Sequence, residues 1–103
     1  MRQIEYRMNQ AILNQTNFKE KNTEVIYNPE DNTSHVYLHN NIIAIVGDNN
    51  IQLFDSGYQT HTTKSRINSI LLLNGGGYVY QKDFQWYFSD ENQTIYFTNG
   101  MIV

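Results

Sequence analysis

The spacing of hydrophobic residues predicts a helix over residues 2–15. Its apolar residues recur at i, i+4, i+7 and i+8 and therefore share one helical face; they are Ile4, Met8, Ala11 and Ile12. The polar residues between them, including Glu5 and Asn9, are assigned to the remaining faces. The amide-rich stretch 14–22 is expected to end the helix and to lead into a sheet.

From residue 23 onward the hydrophobic period changes to that of β-strands. Short alternating or continuous apolar runs are separated by Asn, Asp, Pro and Gly, which are typical turn residues. The pattern predicts a four-strand antiparallel meander with strands at 25–27, 35–39, 42–46 and 51–54.

Helical spacing returns at residues 67–71, for which Thr62 or Thr63 is the expected N-cap. Gly75 is expected to end this second helix, because glycine readily adopts the left-handed cap conformation. Three more short strands are predicted at 78–81, 85–88 and 94–97.

The predicted fold class is therefore α+β, with residues 1–103 in a single domain. Its order is an N-terminal helix, a four-strand antiparallel meander, a second helix and three short antiparallel strands. Both helices are expected to cover one face of a mostly antiparallel sheet. With 40% apolar residues, the chain can close one hydrophobic core.

The composition excludes several classes of protein. The absence of cysteine excludes a disulfide scaffold, a thiolate metal site and a cysteine nucleophile. A net charge of −3 argues against a general polyanion binder. No apolar run approaches the ~20 residues of a membrane helix, and residues 1–3 do not open a signal peptide, so a cytoplasmic location is expected.

No pattern in the chain is typical of a catalytic, metal or cofactor site. His35 and His39 lie on a predicted strand, where four residues span ~13 Å, which is too far for two ligands of one metal ion. The glycine run 75–77 follows a helix, whereas a phosphate-binding loop precedes one. The acidic residues fall in predicted turns. We therefore predict a non-enzymatic protein with no metal and no cofactor.

Segment 56–68 carries an unusual charge pattern. Lys64 and Arg66 are predicted to lie in the first turn of the second helix, where cations oppose the helix macrodipole. An anion bound there, such as a phosphate, would resolve this conflict, because it would also meet free backbone N–H groups. Nearby hydroxyls could contribute, from Thr60, Thr62, Thr63 and Ser65.

The alternative is that these residues are purely structural. The threonines would then only cap the helix, and Lys64 would be solvated. Arg66 would pair with Asp55 or Asp83. The tyrosines that could stack on a nucleotide base have an alternative role in cross-strand packing; they are Tyr58, Tyr78 and Tyr80.

Residues 57–68 read Gly-Tyr-Gln-Thr-His-Thr-Thr-Lys-Ser-Arg-Ile-Asn, and Tyr80-Gln81-Lys82 and Trp86-Tyr87 follow them. Over roughly residues 23–88 this pattern resembles a small domain encoded widely by phages and other mobile elements. The resemblance implies a phage-type source and no particular activity. Its motif adds Asn68 to the candidates, so the predicted binding residues are Tyr58, Thr60, Thr62, Thr63, Lys64, Arg66 and Asn68.

Three functions are compatible with these features. The first is a phage protein that binds and inhibits a host defence protein or ribonucleoprotein complex, as an anti-CRISPR protein does. The second is a nucleic-acid-binding accessory protein that uses Lys64 and Arg66 on phosphates. The third is a structural or oligomerisation module. The expected location is the cytoplasm of the host cell, and the expected partner is a host protein or ribonucleoprotein complex.

A homodimer is also compatible with the sequence. The strands at 85–88 and 94–97 carry five aromatic residues, and a small sheet does not readily bury both faces of such strands. The alternative is that the N-terminal helix covers them.

Overall fold

The computed structural model describes residues 1–103 and confirms the α+β class. The predicted helices and strands are present in the predicted order, and two short strands are added to them. The elements are α1 (Gln3–Asn14), β1 (Phe18–Glu20), β2 (Thr23–Asn28), β3 (Thr33–Leu38), β4 (Asn41–Val46), β5 (Ile51–Leu53), α2 (His61–Asn74), β6 (Tyr78–Lys82), β7 (Gln85–Ser89), β8 (Thr94–Tyr96) and β9 (Met101–Ile102).

The strands form two antiparallel sheets instead of the single sheet that the sequence predicted. The large sheet has the order β1-β2-β3-β4-β5-β9, and the small sheet has the order β6-β7-β8. The predicted meander is confirmed as β2–β5. The chain divides into two sheets after α2, where positive φ angles at Gly76 and Gly77 redirect it into β6.

The two added strands lie at the two edges of the large sheet. β1 occupies part of the stretch that was predicted to be a connection, and it pairs with β2 through a short turn at residues 21–22. Phe18 in β1 is half-buried and packs against the core. β9 pairs with β5, which lies about 50 residues earlier in the chain.

One continuous core connects both helices and both sheets. Its 18 buried hydrophobic residues come from α1, α2 and strands of each sheet, together with Phe97, which follows β8. α1 packs on β1, β2 and α2, while α2 contacts β4 of the large sheet and β6 of the small one. Both helices therefore contact the large sheet, as predicted, and α2 also packs against the small sheet, which the sequence did not predict. Neither helix is both long enough and apolar enough to span a membrane.

Both ends of α2 differ from the sequence prediction. The N-cap is Thr60, so the predicted caps Thr62 and Thr63 already lie within the helix. Arg66 is consequently the sixth helical residue and lies beyond the first turn. At the other end Gly75 has φ −147°, which is not left-handed, and the left-handed residues follow it at Gly76 and Gly77.

Gly77 is the glycine at which a side chain would be least tolerated. A Cβ atom at this position would lie 2.7 Å from Cζ of Phe88 and 2.8 Å from the carbonyl oxygen of Ser89, and its φ is +83°. Gly76 has φ +120° and no neighbouring atom within 4 Å of its Cβ position. The start of β6 thus requires a glycine for space as well as for conformation.

We predict that G77A is less stable than G76A by about 1–3 kcal/mol, because G77A combines backbone strain with overpacking against Phe88. G76A is the matched control, since it carries backbone strain alone. Urea unfolding of the two variants and the wild-type protein measures the difference. Equal free energies of unfolding for the two variants would contradict the packing argument.

Candidate functional site

The threonines at the start of α2 are used largely to cap the helix. The Oγ1 atom of Thr60 accepts a hydrogen bond from the backbone N–H of Thr63 at 3.1 Å, and the two hydroxyl oxygens lie 3.0 Å apart. Thr63 is buried. Lys64 lies with its Nζ atom 6.0 Å from the centroid of the Trp86 ring, at the distance of a weak cation–π contact.

Arg66 lies inside the protein, where its charge is compensated by Glu5. One guanidinium nitrogen donates to Oε2 of Glu5 at 2.8 Å, and both side chains are almost fully buried. The guanidinium also donates to Oγ1 of Thr23 at 3.1 Å and to Oδ1 of Asn22 at 3.3 Å. The expected pairing of Arg66 with Asp55 or Asp83 is therefore wrong.

Glu5 is held ionised by the groups that surround it. Oε2 accepts a hydrogen bond from the Ser65 hydroxyl at 2.6 Å, and Oε1 accepts one from the backbone N–H of Arg2 at 3.1 Å. Burial by itself raises the pKa of Glu5, but the hydrogen bonds from Ser65, Arg66 and Arg2 outweigh it and lower that pKa below its ordinary value. The assignment of Glu5 and Asn9 to the solvent face of α1 is wrong, since both are buried.

Asn68 has a structural contact at the edge of the small sheet. Its side-chain amide donates to the carbonyl oxygen of Val79 at 2.9 Å and accepts from the N–H of Val79 at 2.7 Å. These two bonds imitate a neighbouring strand and occupy backbone groups of β6 that face away from β7.

The structure brings only part of the predicted binding set together. Tyr58, Thr60 and Thr62 line a groove of about 470 Å³ at the start of α2. The groove is also lined by Asp55, and no lysine or arginine lines it. Lys64 lies against Trp86, and Arg66 and Asn68 are engaged elsewhere in the fold. The predicted convergence of two cations on the helix terminus is therefore not formed.

A row of four tyrosines lies on the outer face of the small sheet. This tyrosine strip consists of Tyr78 and Tyr80 on β6, Tyr87 on β7 and Tyr96 on β8. Successive ring centroids are 5.6, 5.4 and 5.3 Å apart. The alternate residues Trp86 and Phe88 point inward and are buried. α2 packs on β6 and places Lys64 over the Trp86 ring, whereas α1 packs on β1, β2 and α2, so the alternative that α1 covers the aromatic strands is wrong.

The geometry of the tyrosine strip determines what it can offer to a ligand. The Tyr80 and Tyr87 rings are stacked with an interplanar angle of 19°. These two rings therefore cover one face of each other, and the outer pairs are tilted by 39° and 30°. The middle of the strip therefore presents ring edges and hydroxyl groups to solvent. Tyr78 and Tyr96 terminate the strip and are more than half exposed.

The hydroxyl of Tyr87 remains protonated well above neutral pH. Partial removal from water raises the pKa of Tyr87, and the neighbouring Tyr96, Tyr80 and Asp83 raise it further. Tyr87 can therefore donate a hydrogen bond to a ligand at the surface.

Phe84 occupies the tip of the hairpin that joins β6 and β7. Lys82 pairs with Gln85, so the turn has two residues, Asp83 and Phe84, with φ values of +52° and +65°. Such a turn favours Asn or Gly, and a bulky residue with positive φ is uncommon. The Phe84 side chain is 94% exposed. An exposed aromatic residue in a strained turn is typical of a functional position.

The sequence indicates only part of this surface, which consists of the four tyrosines and Phe84. The aromatic density of the last strands indicated an exposed face, and Tyr78 and Tyr80 were named as stacking candidates. The sequence analysis did not identify Phe84 as a candidate. The Asp-Phe pair between two alternating strand patterns could have indicated a two-residue turn with an exposed aromatic residue. The inclusion of Tyr87 and Tyr96 required the cross-strand register.

A second groove on the surface is lined by acidic residues. This groove of about 480 Å³ lies between the glycine run 75–77 and the β4–β5 turn, and it is lined by Asp48, Asp90 and Glu91. No three His, Cys, Asp or Glu residues are placed so that they could hold a metal ion.

We predict that E5Q lowers the free energy of unfolding at pH 7 by about 3–5 kcal/mol, because it leaves Arg66 charged and buried without a counter-ion. The pKa of Glu5 is lower in the folded state than its ordinary value of 4.5, so its stabilising contribution is present above that value and is lost as the pH falls further. The difference between wild type and E5Q should therefore shrink below pH 4.5.

Urea unfolding at neutral and acidic pH measures both effects. E20Q is the matched control, since Glu20 pairs with Arg7 on the surface and should contribute far less. A cost for E5Q that equals that of E20Q, or that does not vary with pH, would contradict this role of the buried pair.

We predict that F84G stabilises the protein by roughly 0.5–1 kcal/mol, because glycine removes the strain of the left-handed conformation. The matched control is N40G in the β3–β4 turn, where Asn40 already tolerates its φ of +65° and little change is expected. Thermal and urea unfolding measure both. A destabilised F84G would show that Phe84 has a structural role.

Comparison with known proteins assigns the chain to a family. The family model of the Kyanoviridae Gp96 protein matches residues 1–103. No curated protein and no solved structure matches the chain. The match supports the predicted phage origin, whereas the motif at residues 57–68 that carried the resemblance stays a prediction. The chain therefore belongs to the Kyanoviridae Gp96 family of phage proteins.

Proposed function

We propose that this chain is a non-enzymatic binding protein that engages a host protein with fixed stoichiometry. Binding would occur in the host cytoplasm through the tyrosine strip and Phe84, and it would inhibit a host defence protein or ribonucleoprotein complex, as an anti-CRISPR protein does. The observation that carries the proposal is the combination of an uncovered tyrosine strip with a strained, 94% exposed Phe84 on the same three-stranded sheet.

The chemistry of the strip favours a protein partner. Tyrosine and phenylalanine are enriched in the cores of protein interfaces, whereas lysine and the acidic residues are depleted there. The strip presents phenol hydroxyls and ring edges on a backbone that the sheet holds rigid. Such residues lose little conformational freedom on binding, so more of the contact energy becomes affinity.

The same surface is poorly suited to nucleic acid. Base stacking needs open aromatic faces, and the rings of the strip lean on one another at 5.3–5.6 Å, with Tyr80 and Tyr87 stacked. Phosphate binding needs cations, and the hairpin carries only Lys82, which is adjacent to Asp83. Two other cations are paired within the chain, Arg66 with Glu5 and Arg7 with Glu20.

Phe84 has the properties of an interface anchor. Its position at the tip of a two-residue turn projects the ring away from the core, and the turn restricts the directions that the ring can take. A bulky apolar side chain that is 94% exposed in a positive-φ turn of the free protein is explained if it fills an apolar pocket on a partner.

The proposal is tested by capture from a lysate of the phage host, with and without nuclease treatment, followed by affinity measurement on the captured protein. We expect one stoichiometric complex that survives nuclease and moderate salt. F84G should raise the dissociation constant of this complex by at least about 30-fold, which is the effect of losing a hot-spot residue. The matched control is L13A, which removes an exposed apolar side chain from α1 and should bind like wild type.

Three results would overturn the proposal. Capture that disappears with nuclease would indicate a nucleic-acid ligand. Wild-type affinity in both F84G and Y96A would remove this surface from the interface. A complex whose partner retains full activity at saturation would separate binding from inhibition.

A further inference from the structure

The four outer edges of the two sheets differ in how well they are protected from pairing with another strand. β1 carries charged residues at Lys19 and Glu20, and β9 is only two residues long. The outer edge of β6 is occupied by the side chain of Asn68. β8 reads Thr-Ile-Tyr, with no charge, no proline and no bulge. β8 is therefore the unprotected edge of the structure.

The hydrogen-bond pattern shows which backbone groups of β8 face outward. Phe97 donates its N–H to the carbonyl of Trp86, and Asp90 donates to the carbonyl of Gln93, in the register that pairs β7 with β8. In an antiparallel ladder only alternate residues bond to one neighbour. The N–H and C=O groups of Thr94 and Tyr96 consequently point away from β7.

We propose that two copies of this chain pair antiparallel through β8, with the two-fold axis at Ile95. Thr94 of one copy then lies opposite Tyr96 of the other, and the reverse pair is equivalent. Each of the two pairs forms two backbone hydrogen bonds, because the outward groups lie on these residues. The two Ile95 residues form the non-hydrogen-bonded pair between them. The outward N–H and C=O groups of one β8 edge thus match those of a second copy, as a two-fold interface requires.

The side chains are also compatible with this register. Ile95 lies on the inner face next to Phe88, is 39% exposed, and would meet its equivalent in the second copy. The nearest charged residues, Asp90 and Glu91, would lie opposite Gly100 and Asn99 and not opposite like charges. On the outer face the tyrosine strips of the two copies would join across a six-stranded sheet.

This pairing is expected to be weak and dependent on concentration. The strand has three residues, which limits the interface to the small end of the range for specific complexes. We expect a monomer–dimer equilibrium in sedimentation velocity between roughly 1 µM and 1 mM, the range of weak dissociation constants. A wild-type protein that stays monomeric throughout this range overturns the proposal.

The position of the two-fold axis at Ile95 is tested by introducing a single cysteine. The chain has no cysteine of its own, so any disulfide must join the introduced residues of two copies. Residues of a non-hydrogen-bonded pair have Cα atoms about 4.5 Å apart, which is within the range for a disulfide. We expect I95C to oxidise to a covalent dimer at a rate that rises with protein concentration. I102C on β9, at an exposed position, is the matched control and should oxidise at least about tenfold more slowly.

A charge exchange provides an independent test of the same pair. I95K and I95E should each be monomeric, because like charges directly opposite one another repel, whereas an equimolar mixture should restore the dimer. I102K should dimerise like wild type. Equal oxidation rates of I95C and I102C would overturn the assignment of the axis. An I95K and I95E mixture that remains monomeric, while both variants keep the wild-type far-UV circular dichroism spectrum, would overturn it as well.

Discussion

The buried ion pair between Glu5 and Arg66 is the interaction on which the arrangement of the helices depends. It joins residues 61 positions apart, connects α1 to α2, and through Thr23 and Asn22 connects both to the start of β2. Two charges inside a protein are tolerable only when their hydrogen-bonding groups are satisfied, and here Ser65 and the backbone of Arg2 complete the set around the carboxylate. We infer that the pair fixes how the helices sit on the sheet more than it adds to net stability.

This use of Arg66 also shapes the surface chemistry of the protein. Arg66, which the sequence predicted at an anion site, is buried in an ion pair with Glu5. The hydroxyls of Thr60 and Thr63 are hydrogen-bonded in the helix cap. The outer face of the small sheet is left aromatic, and the only charged residues of its β6–β7 hairpin are Lys82 and Asp83. The small sheet directs Trp86 and Phe88 inward and the tyrosine strip outward, so the distribution of its side chains follows directly from strand alternation.

The two proposed uses of the small sheet are compatible because they involve different parts of it. A protein partner would contact the outer face and the hairpin tip at Phe84, whereas a second copy would contact the edge of β8. Asn68 explains why the sheet is open on one side only, since it closes the edge of β6 with two hydrogen bonds. Pairing along β8 would bring two tyrosine strips together and double the surface offered to a partner.

Local pattern was sufficient to predict the helices, the meander and the last three strands, because hydrophobic period and turn residues act over a few neighbouring positions. It failed where the deciding contact is distant in sequence. Glu5 and Asn9 look like solvent-facing residues until α2 brings Arg66 and Ser69 against them. β9 exists only because β5 lies beside it, and Phe84 stands out only when its conformation and exposure are known. The tyrosines could be assigned to strands from their spacing, but which face remains uncovered was decided by α2 packing on the other side, a tertiary contact that no local period encodes.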